Sequence, residues 1–412
     1  MGIKHTTILE VINMLCAHST EKLLGLKGVI VKNVRQFADQ TEITVELPLK
    51  PHVCPCCNQL TTCVHDYRRQ PVKDIPAFGK HTMLILRKRR YCCPYCGKRF
   101  FERNPFLPRY YRMTNRLAAY IISQLSDVRS FTSVAKEVNL SVSTVIRVFD
   151  TVNFGTPQRL SEVLSIDEFK GNTGCEKYQC ILTDPVRHRV LDILPTRYSY
   201  HLKSYFKQFD RSCTTHFVSD MWSTYADIAQ TYFKDAAYII DKYHYIRQVF
   251  WAFEAIRKEE QKKFSKSRRI YFKHSKTLLN KRYEFLPSEQ KQQVEIMLYA
   301  SSRLLTAYSL KEQFFRVLDC TDSNSARHSL STWVMAAQNS NLPKFVACGN
   351  TMVRWSCGIL NSFDSPYTNG FTEGVNNKIK VLKRNAYGYR NFFRFRNRIL
   401  HMFSLPTQNG AA

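Results

Sequence analysis

Two short motifs in this 412-residue chain carry acidic side chains in settings that suit metal-dependent chemistry. One is Ser219-Asp220-Met221-Trp222, and the other runs from Asn369 to Lys378 with Glu373 near its start. A third acidic segment, Ile166-Asp167-Glu168, stands upstream. Converging carboxylates without a dedicated nucleophile are what two-metal phosphoryl transfer needs, with two Mg²⁺ ions about 3.5–4 Å apart that activate one oxygen and neutralise the other. The motifs therefore predict phosphoryl-transfer chemistry, and the charge of the chain points to DNA as its substrate.

The composition predicts a polyanionic partner. Lys and Arg outnumber Asp and Glu by 61 to 33, which gives a formal net charge of +28. Nucleic acid is the first candidate for such a surplus, and an anionic membrane surface is the second. The sequence has neither a run of 18 apolar residues nor a secretory leader, so we expect no membrane partner and a cytoplasmic location.

Cysteine usage predicts a metal site. Seven of the fourteen cysteines lie between Cys54 and Cys96, and in a reducing compartment such a cluster favours metal over disulfides. Two Cys-x-x-Cys pairs have the spacing of a closed tetrahedral zinc site. We therefore expect structural Zn²⁺ on Cys54, Cys57, Cys93 and Cys96. Five neighbours remain alternative ligands, namely Cys56, Cys63, Cys92, His52 and His65.

The segment over residues 114–150 has the pattern of three short helices. The turn Asn139-Leu140-Ser141 separates the second helix from the third, which is helix-turn-helix spacing. Small and basic side chains at the start of the third helix suit contact with a DNA groove. The candidates for this contact are Ser141, Ser143, Thr144 and Arg147.

From Ser161 onward the pattern changes to strands. Three strands in antiparallel order, followed by alternating helix and strand, predict an RNase H-like sheet. A strand over Val163–Asp167 ends in an acid, and Asp220 follows the strand over 216–219, so both acids should lie at or just beyond the ends of neighbouring strands. Either Asp167 or Glu168 could bind metal, although Glu168 should point to the other face of its strand.

Two basic surfaces complete the pattern. A dense basic stretch over 257–276 has aromatic neighbours, which favours contact with phosphate over a merely solvated helix face. The last predicted helix begins near Tyr367 and places Glu373 on one face with amides and a lysine. The candidates for DNA contact on these surfaces are Lys262, Lys263, Lys266, Arg268, Arg269, Asn376, Asn377, Lys380, Lys383 and Arg384.

The expected fold class is multidomain α+β. It comprises an N-terminal zinc-binding β module, a helix-turn-helix and an RNase H-like α/β catalytic domain with an all-helical insertion. The predicted domains are an N-terminal helix and hairpin over 1–45, the zinc module over 46–108, the helix-turn-helix over 109–155, the catalytic domain over 161–244 and 351–405, and the insertion over 245–350.

With these residues, the chain resembles a bacterial insertion-sequence transposase of the IS-L-three family over nearly its whole length. The resemblance is carried by the two Cys-x-x-Cys pairs with the lead-in Arg89-Arg90-Tyr91, by the helix-turn-helix, and by four motifs. Those motifs are Ile166-Asp167-Glu168-Phe169, Ser219-Asp220-Met221-Trp222, Asp241-Lys242-Tyr243-His244, and the block from Glu373 to Lys380 that continues to Arg384.

The resemblance implies a DDE enzyme in which Asp167, Asp220 and Glu373 bind two Mg²⁺ (or Mn²⁺) ions. It implies binding to the terminal inverted repeats of an insertion sequence, cleavage at the element end, and attack of the freed 3′-OH on target DNA. Pairing of two ends implies a homodimer or a higher oligomer, and bound protein would be associated with the nucleoid.

Three other functions are open at this point. A zinc and helix-turn-helix regulator with an inactive remnant catalytic domain would bind DNA without cutting it. A structure-specific nuclease would cut but not join strands. An RNA-binding protein would prefer single-stranded RNA to duplex ends.

Overall fold

A computed structural model of the chain describes residues 24–26, 28–174, 176–273 and 275–404. The helix predicted over 7–24 lies outside these residues apart from its last position. The chain forms two compact units. The first extends to Asn153 and includes Leu382–Tyr387, and the second comprises Phe154–Val381 and the residues from Gly388 onward. Within the described residues, every helix is too short or too polar to cross a membrane.

The first unit contains two β-sheets. Its described strands are β1 (Ile30–Gln36), β2 (Gln40–Glu46), β3 (His52–Val53), β4 (Leu60–Thr61), β5 (Val64–Ala77), β6 (Lys80–Cys92) and β7 (Arg99–Phe101). The larger sheet has the order β1-β2-β6-β5, with β7 paired to β6, and β3 and β4 form a separate ribbon. The β1/β2 and β5/β6 pairs are antiparallel hairpins, whereas β2 joins β6 in parallel.

The long β5/β6 hairpin carries the core of this unit. Leu84 and Leu86 alternate with outward residues along β6 and are fully buried with Val45 and Val72, as expected for a sheet with one covered face. Because β2 belongs to the segment predicted over 1–45 and β6 to the module predicted over 46–108, the two segments share one sheet. The boundary predicted at residue 46 therefore does not separate two folded bodies.

Three short helices follow, α1 (Asn115–Gln124), α2 (Phe131–Glu137) and α3 (Val142–Phe149). Each helix begins after a hydroxyl residue whose side chain accepts a hydrogen bond from the backbone N–H three positions later. These caps satisfy one of the free donors at each helix start. They are Thr114, Ser130 and Ser141. The predicted three-helix pattern is confirmed, with its ends shifted by at most about one residue.

The second unit is built on a five-stranded sheet. Its strands are β8 (Val163–Thr173), β9 (Glu176–Asp184), β10 (Arg189–Leu194), β11 (His216–Ser219) and β12 (Ala237–Ile240). Their order is β10-β9-β8-β11-β12, with an antiparallel β8–β10 meander and with β11 parallel to β8 and β12. The predicted order of elements is confirmed. One boundary is wrong, because β8 does not end at Asp167 but continues to Thr173 through its pairing with β9.

Helices cover this sheet and continue beyond it. They are α4 (Ser199–Phe206), α5 (Ser223–Tyr232), α6 (Lys242–Lys263), α7 (Lys266–Tyr271), α8 (Ser275–Leu279), α9 (Ser288–Tyr299), α10 (Ser302–Leu318), α11 (Ser323–Gln338), α12 (Pro343–Arg354), α13 (Ser356–Asn361), α14 (Gly370–Asn385) and α15 (Phe392–Ser404). The helices α6 and α8 to α13 share a large apolar core that includes Phe314, Trp333 and Phe345.

The sequence pattern predicted that the helix that carries Glu373 is the last one. The structure shows a further helix after it. This helix, α15, packs on β10. There Arg396 donates to Asp192 Oδ1 at 2.7 Å and to the carbonyls of Phe154 and Gly155. Arg396 therefore has an internal structural role.

Candidate active site

Three aspartates lie at one edge of the second sheet. Asp220 and Asp241 directly follow β11 and β12, which pair in parallel up to Ser219 and Ile240. Asp167 stands two positions beyond Ser165, the last β8 residue that pairs with β11. The carboxyl ends of parallel strands meet at the same edge of a sheet, which is where α/β folds place their ligands. The strand register therefore brings the three acids to a common edge.

The electrostatic surroundings of Asp167 reveal its neighbours. Burial is the largest cause that raises the pKa of Asp167, to about 6, and the negative charges of Glu168, Glu373 and Asp241 raise it further. Two hydrogen bonds hold the carboxylate in place. The backbone N–H of Glu168 donates to Oδ1 at 2.7 Å, and the side-chain amide of Asn376 donates to Oδ2 at 2.8 Å. The influence of Glu373 shows that α14 brings it within electrostatic reach of Asp167.

The surroundings of Asp220 also disfavour its negatively charged form. Burial raises its pKa to about 7, and repulsion from Asp167 and Glu168 adds to the effect. The positive charges of Arg247 and Arg197 oppose the rise. Among the described residues, Asp220 Oδ1 is buried without a hydrogen-bond partner. An unpaired buried carboxylate oxygen is costly, and a cation would relieve both the missing contact and the repulsion.

A chain of buried hydroxyl groups positions the start of α14 against the sheet. Ser165 Oγ lies 2.9 Å from Thr372 Oγ1, which in turn lies 2.7 Å from Thr183 Oγ1. The backbone N–H of Asn369 donates to Asp241 Oδ2 at 2.8 Å. These bonds connect α14 to β8, to β9 and to the end of β12. Glu373 therefore stands on a helix whose register is fixed by directional contacts.

The face of α14 that the sequence predicted is divided by burial. Asn376 is 6% exposed and faces Asp167, whereas Glu373, Asn377 and Lys380 are exposed. Lys380 Nζ donates to Asn377 Oδ1 at 3.1 Å. The predicted DNA contact Asn376 thus lies beside the carboxylates, where its side-chain amide orients Asp167.

Glu168 has a different setting from its neighbour Asp167. Its Oε1 accepts an ion-pair hydrogen bond from Arg197 at 2.5 Å. The Arg197 guanidinium also stacks on Tyr178 and Trp222, with its central carbon 4.4 Å and 4.9 Å from the ring centres. Among the described residues, the second oxygen of Glu168, Oε2, is buried without a hydrogen-bond partner. Both Asp167 and Glu168 therefore fit metal binding at this position, and the resemblance to the family favours Asp167.

The four predicted zinc ligands come together. Cys54 Sγ lies 3.5 Å from Cys96 Sγ, and Cys57 Sγ lies 3.5 Å from Cys93 Sγ. Within the described residues, these four form the group of candidate ligands whose atoms all lie within 4.8 Å of one another. Tetrahedral Zn–S bonds of about 2.3 Å require sulfur–sulfur distances of about 3.8 Å. The cluster therefore fits a structural Zn²⁺ ion, and the five alternative ligands lie outside it.

Two matching loops build this thiol cluster. After each Cys-x-x-Cys pair the chain turns through a residue with positive φ, Asn58 at 57° and Gly97 at 70°. The N–H groups of Asn58 and Gly97 donate to the carbonyls of Cys54 and Cys93 at 3.0 and 2.9 Å. Glycine and asparagine are the residues that adopt this conformation most readily. Asn58 in the first loop is thus the counterpart of Gly97 in the second.

The predicted recognition residues lie at the start of α3. Ser141 caps the helix, since its Oγ accepts from the N–H of Thr144 at 3.2 Å. Ser143 and Arg147 are exposed, and Thr144 is half-buried. Val145 and Val148 on the opposite side are buried. The helix therefore offers a polar face with one cation to solvent, as groove contact requires.

Family models match the chain in three consecutive blocks. A model of the transposase family ISL3, described as Transposase, matches residues 164–399, which is more than half of the chain. The chain belongs to this transposase family. A zinc-finger of transposase IS204/IS1001/IS1096/IS1165 matches residues 50–99, and a helix-turn-helix domain of transposase family ISL3 matches residues 102–153. The predicted zinc module and helix-turn-helix are thereby confirmed, and so is the prediction of a DNA transposase.

Individual relatives agree with this assignment. The transposase is 28% identical over 386 residues to the transposase for insertion sequence element IS1001 of Bordetella parapertussis, a match that covers 90% of this chain and 94% of that protein. It is 25% identical over 202 residues to the transposase for insertion sequence element IS1557 of Mycobacterium tuberculosis, covering 43% and 45% of the two chains. A shorter match, 33% identical over 107 residues, is to a Lactococcus lactis subsp. lactis protein named ATP-dependent protease and covers 26% and 33%.

The basic stretch of the transposase is not uniform. Its predicted contacts from Lys262 to Arg269 are all exposed, and Lys263 pairs with Glu260 at 2.7 Å. In contrast, Arg257 is 7% exposed and donates to both oxygens of Glu254. The exposed cations remain candidates for phosphate contact, whereas Arg257 is part of the helical core.

Sequence reasoning singled out the motifs that contain Asp241, Asn369 and Thr372, but it missed the positioning role of these residues and of Ser165. Asp241, Asn369, Thr372 and Ser165 have no metal-ligand spacing, and they look like ordinary cap and strand residues. A signal existed only for Asp241, which directly follows a predicted strand and precedes a helix, as an N-cap does. The contacts between these residues span more than 120 positions, so they follow from the tertiary fold.

The raised pKa of Asp220 predicts how stability depends on pH. Its folded value of about 7 exceeds the ordinary 3.8, so the folded state holds this proton more tightly than the unfolded chain. The free energy of unfolding should therefore fall as pH rises from about 4 to about 7, by about 2–4 kcal/mol in total. We expect Asp220→Asn to flatten this part of the thermal-denaturation profile without divalent cations. Parallel profiles for the two proteins would contradict the assignment.

Proposed function

We propose that this transposase cuts DNA at the ends of its element and joins the freed strand to target DNA, with Asp167, Asp220 and Glu373 as ligands of divalent metal. One observation carries the proposal. Two half-buried carboxylates at the ends of parallel strands repel each other, and one of them has an unsatisfied buried oxygen. Carboxylate oxygens are the ligands that Mg²⁺ and Mn²⁺ prefer.

The sheet supports an RNase H-like catalytic domain. An antiparallel three-strand meander joined to two parallel strands places Asp167 and Asp220 at one edge. On this interpretation residues 245–350 form a helical insertion within the catalytic domain, and its apolar core continues to Ile240 of β12. Glu373 then follows the insertion in the chain and lies in the first turn of α14.

Each residue has a specific part in the proposed chemistry. Bound metal would activate the attacking oxygen and stabilise the leaving oxygen of the phosphodiester. The Asn376 amide holds Asp167 in one orientation, and the hydroxyl chain at Ser165 and Thr372 holds the helix that carries Glu373. Because substrate positioning and charge neutralisation dominate phosphoryl transfer, this rigidity is what the protein contributes.

Glu373 has to move to complete the site. Within the described residues, the four cysteines are the candidate ligands whose atoms all lie within 4.8 Å of one another, so the three carboxylates lie further apart than the thiols do. Glu373 is exposed in the first turn of α14, so its side chain can change rotamer without disturbing the core. Metal binding would draw it toward Asp167.

The DNA-binding elements define the substrate. We propose that the helix-turn-helix and the zinc module bind the terminal inverted repeats, while exposed Lys and Arg contact phosphate. Two element ends must be held together before transfer, so the active assembly is a homodimer or a higher oligomer on DNA.

A cleavage and joining assay tests this function. A labelled duplex that carries the terminal repeat of the parent element is incubated with the protein and with Mg²⁺, Mn²⁺ or no divalent ion. We expect metal-dependent cleavage at the element boundary and joining of the 3′ end to a second duplex. Cleavage without joining would indicate a nuclease, and binding without cleavage in either metal would indicate a regulator.

Arg147 provides a separate test of the DNA-binding surface. It is the exposed cation of the recognition helix. We expect Arg147→Ala to weaken binding to the terminal repeat by about 5- to 100-fold, the range for losing one base or phosphate contact. Lys136→Ala, which removes an exposed cation from α2, is the matched control. Equal binding by all three proteins in a titration would remove α3 from the interface.

A further inference from the structure

A row of three side chains on α6 presents aromatic surface close to the candidate active site. Tyr243, Arg247 and Trp251 are spaced at i, i+4 and i+8, so they follow one another along one helix face. The central guanidinium carbon of Arg247 lies 5.2 Å from the ring centre of Tyr243 and 4.5 Å from that of Trp251. Both rings are 55% exposed. We call these three residues the α6 aromatic row.

The arginine in this row has no carboxylate partner. Across the described residues, no acidic group lies within salt-bridge distance of Arg247, whereas Arg197 and Arg257 both pair with glutamates. Its Nε is buried without a hydrogen-bond partner, and Nη2 reaches His244 Nδ1 at 3.4 Å. An unpaired, partly buried cation is unusual for a structural role. It leaves donors free for an anionic ligand.

The position of the row connects it to the carboxylates. The helix α6 starts directly after Asp241, and the charge of Arg247 lowers the pKa of Asp220 against the effect of burial. Arg247 therefore lies within electrostatic reach of the acid that should bind metal. Arg247 stands six positions after Asp241, about 9 Å along the helix, so a phosphate bound by Arg247 would lie on the same side of the sheet edge as a phosphodiester held at Asp220.

We propose that the α6 aromatic row binds an unpaired nucleotide of the DNA strand at the cleavage point. The base stacks on Trp251 or Tyr243, and its phosphate accepts hydrogen bonds from Arg247. Exposed rings can stack only on a base whose own face is free, which a paired base inside a duplex does not offer. The row would thus hold a separated strand end in place for reaction. This inference rests on the proposed function and adds a substrate site to it.

Binding measurements on the full chain test the proposal. All proteins carry Asp220→Asn, and two DNAs are compared. One is a fully paired duplex across the element boundary, and the other has four mismatched, unpaired nucleotides there. We expect Trp251→Ala to weaken binding to the unpaired DNA by about 5- to 100-fold and to the paired DNA by less than about twofold. Trp251→Phe keeps an aromatic face and should retain most of the affinity.

Tyr299→Ala is the matched control, because Tyr299 is a 95% exposed aromatic residue on α9. It should leave both affinities unchanged. Equal losses on the two DNAs with Trp251→Ala, or no loss on either, would overturn the proposal. The readout is binding and not cleavage, so such a failure leaves the carboxylate assignment intact. Conversely, Trp251→Ala could selectively weaken binding to the unpaired DNA while the transposase with an intact Asp220 never cuts DNA. That result would refute the proposed cleavage chemistry and leave the nucleotide site supported.

Discussion

Replacing Asp220 with asparagine should abolish strand cleavage and leave DNA binding intact. The side chain keeps its shape but loses the negative charge that a divalent ion requires. Metal sites of this kind contribute several kcal/mol to the transition state, so we expect the cleavage rate to fall by about 10³-fold or more. The measurement is the rate of cleavage of a terminal-repeat duplex with saturating Mg²⁺, beside a binding titration of the same DNA.

The stability of this variant separates its chemical effect from unfolding. Asp220 is held in the folded state as a repelled, buried anion, so the neutral amide should raise the melting temperature at pH 8 in metal-free buffer. Asp227→Asn is the control, because Asp227 is an exposed acid on α5 that pairs with Lys203. Retained cleavage in Asp220→Asn, or equal loss in Asp227→Asn, would rule out Asp220 as a metal ligand.

Replacing Cys96 with serine should unfold the zinc module. A closed four-thiolate site contributes its binding free energy directly to folding, about 10–16 kcal/mol in small zinc domains. Loss of one ligand removes much of this energy and leaves three buried or half-buried thiols without their metal. We expect the variant to bind less than one zinc ion per chain, and we expect early proteolysis within residues 50–99. Zinc content by atomic absorption and limited proteolysis provide the measurements.

The same loop offers the matched control. Cys56 lies between the two ligands of the first pair but is exposed and outside the thiol cluster. Cys56→Ser should therefore keep one zinc ion and resist protease like the wild type. If Cys56→Ser lost zinc while Cys96→Ser kept it, the ligand set would be wrong.

The sequence predicted those features that local patterns encode. The spacing of Cys54, Cys57, Cys93 and Cys96 is repeated by two loops of the same geometry, so the zinc site could be named without a structure. The three helices over residues 114–150 were also predicted, because the spacing of apolar residues is a local pattern. The order of strands β8–β12 followed from alternation and helix spacing in the same way.

Features that depend on distant contacts were not accessible. Asn376 was assigned to DNA because its helix position matches that of Glu373, yet tertiary packing turns it to Asp167. The ion pair between Arg396 and Asp192 joins residues more than 200 positions apart. The strands β2 and β6 belong to one sheet because they pair in parallel. A parallel pair has no connecting hairpin turn that could be recognised in the sequence. Such contacts require knowledge of which surfaces meet.

The hydrogen bond between Asn369 and Asp241 has a consequence for how this family can vary in length. Residues 242–368 leave the sheet after β12 and rejoin its edge where the N–H of Asn369 donates to the carboxylate of Asp241. Within this excursion α13 also packs on the sheet, since the side-chain amide of Asn361 donates to the carbonyl of Tyr238 at 2.8 Å. The helices of the excursion supply most of the apolar core that they share with Ile240 of β12, and lengthening a closed loop costs little entropy. Evolution could therefore expand or shorten the parts of this segment that do not pack on β12 while α14 keeps its attachment to the sheet.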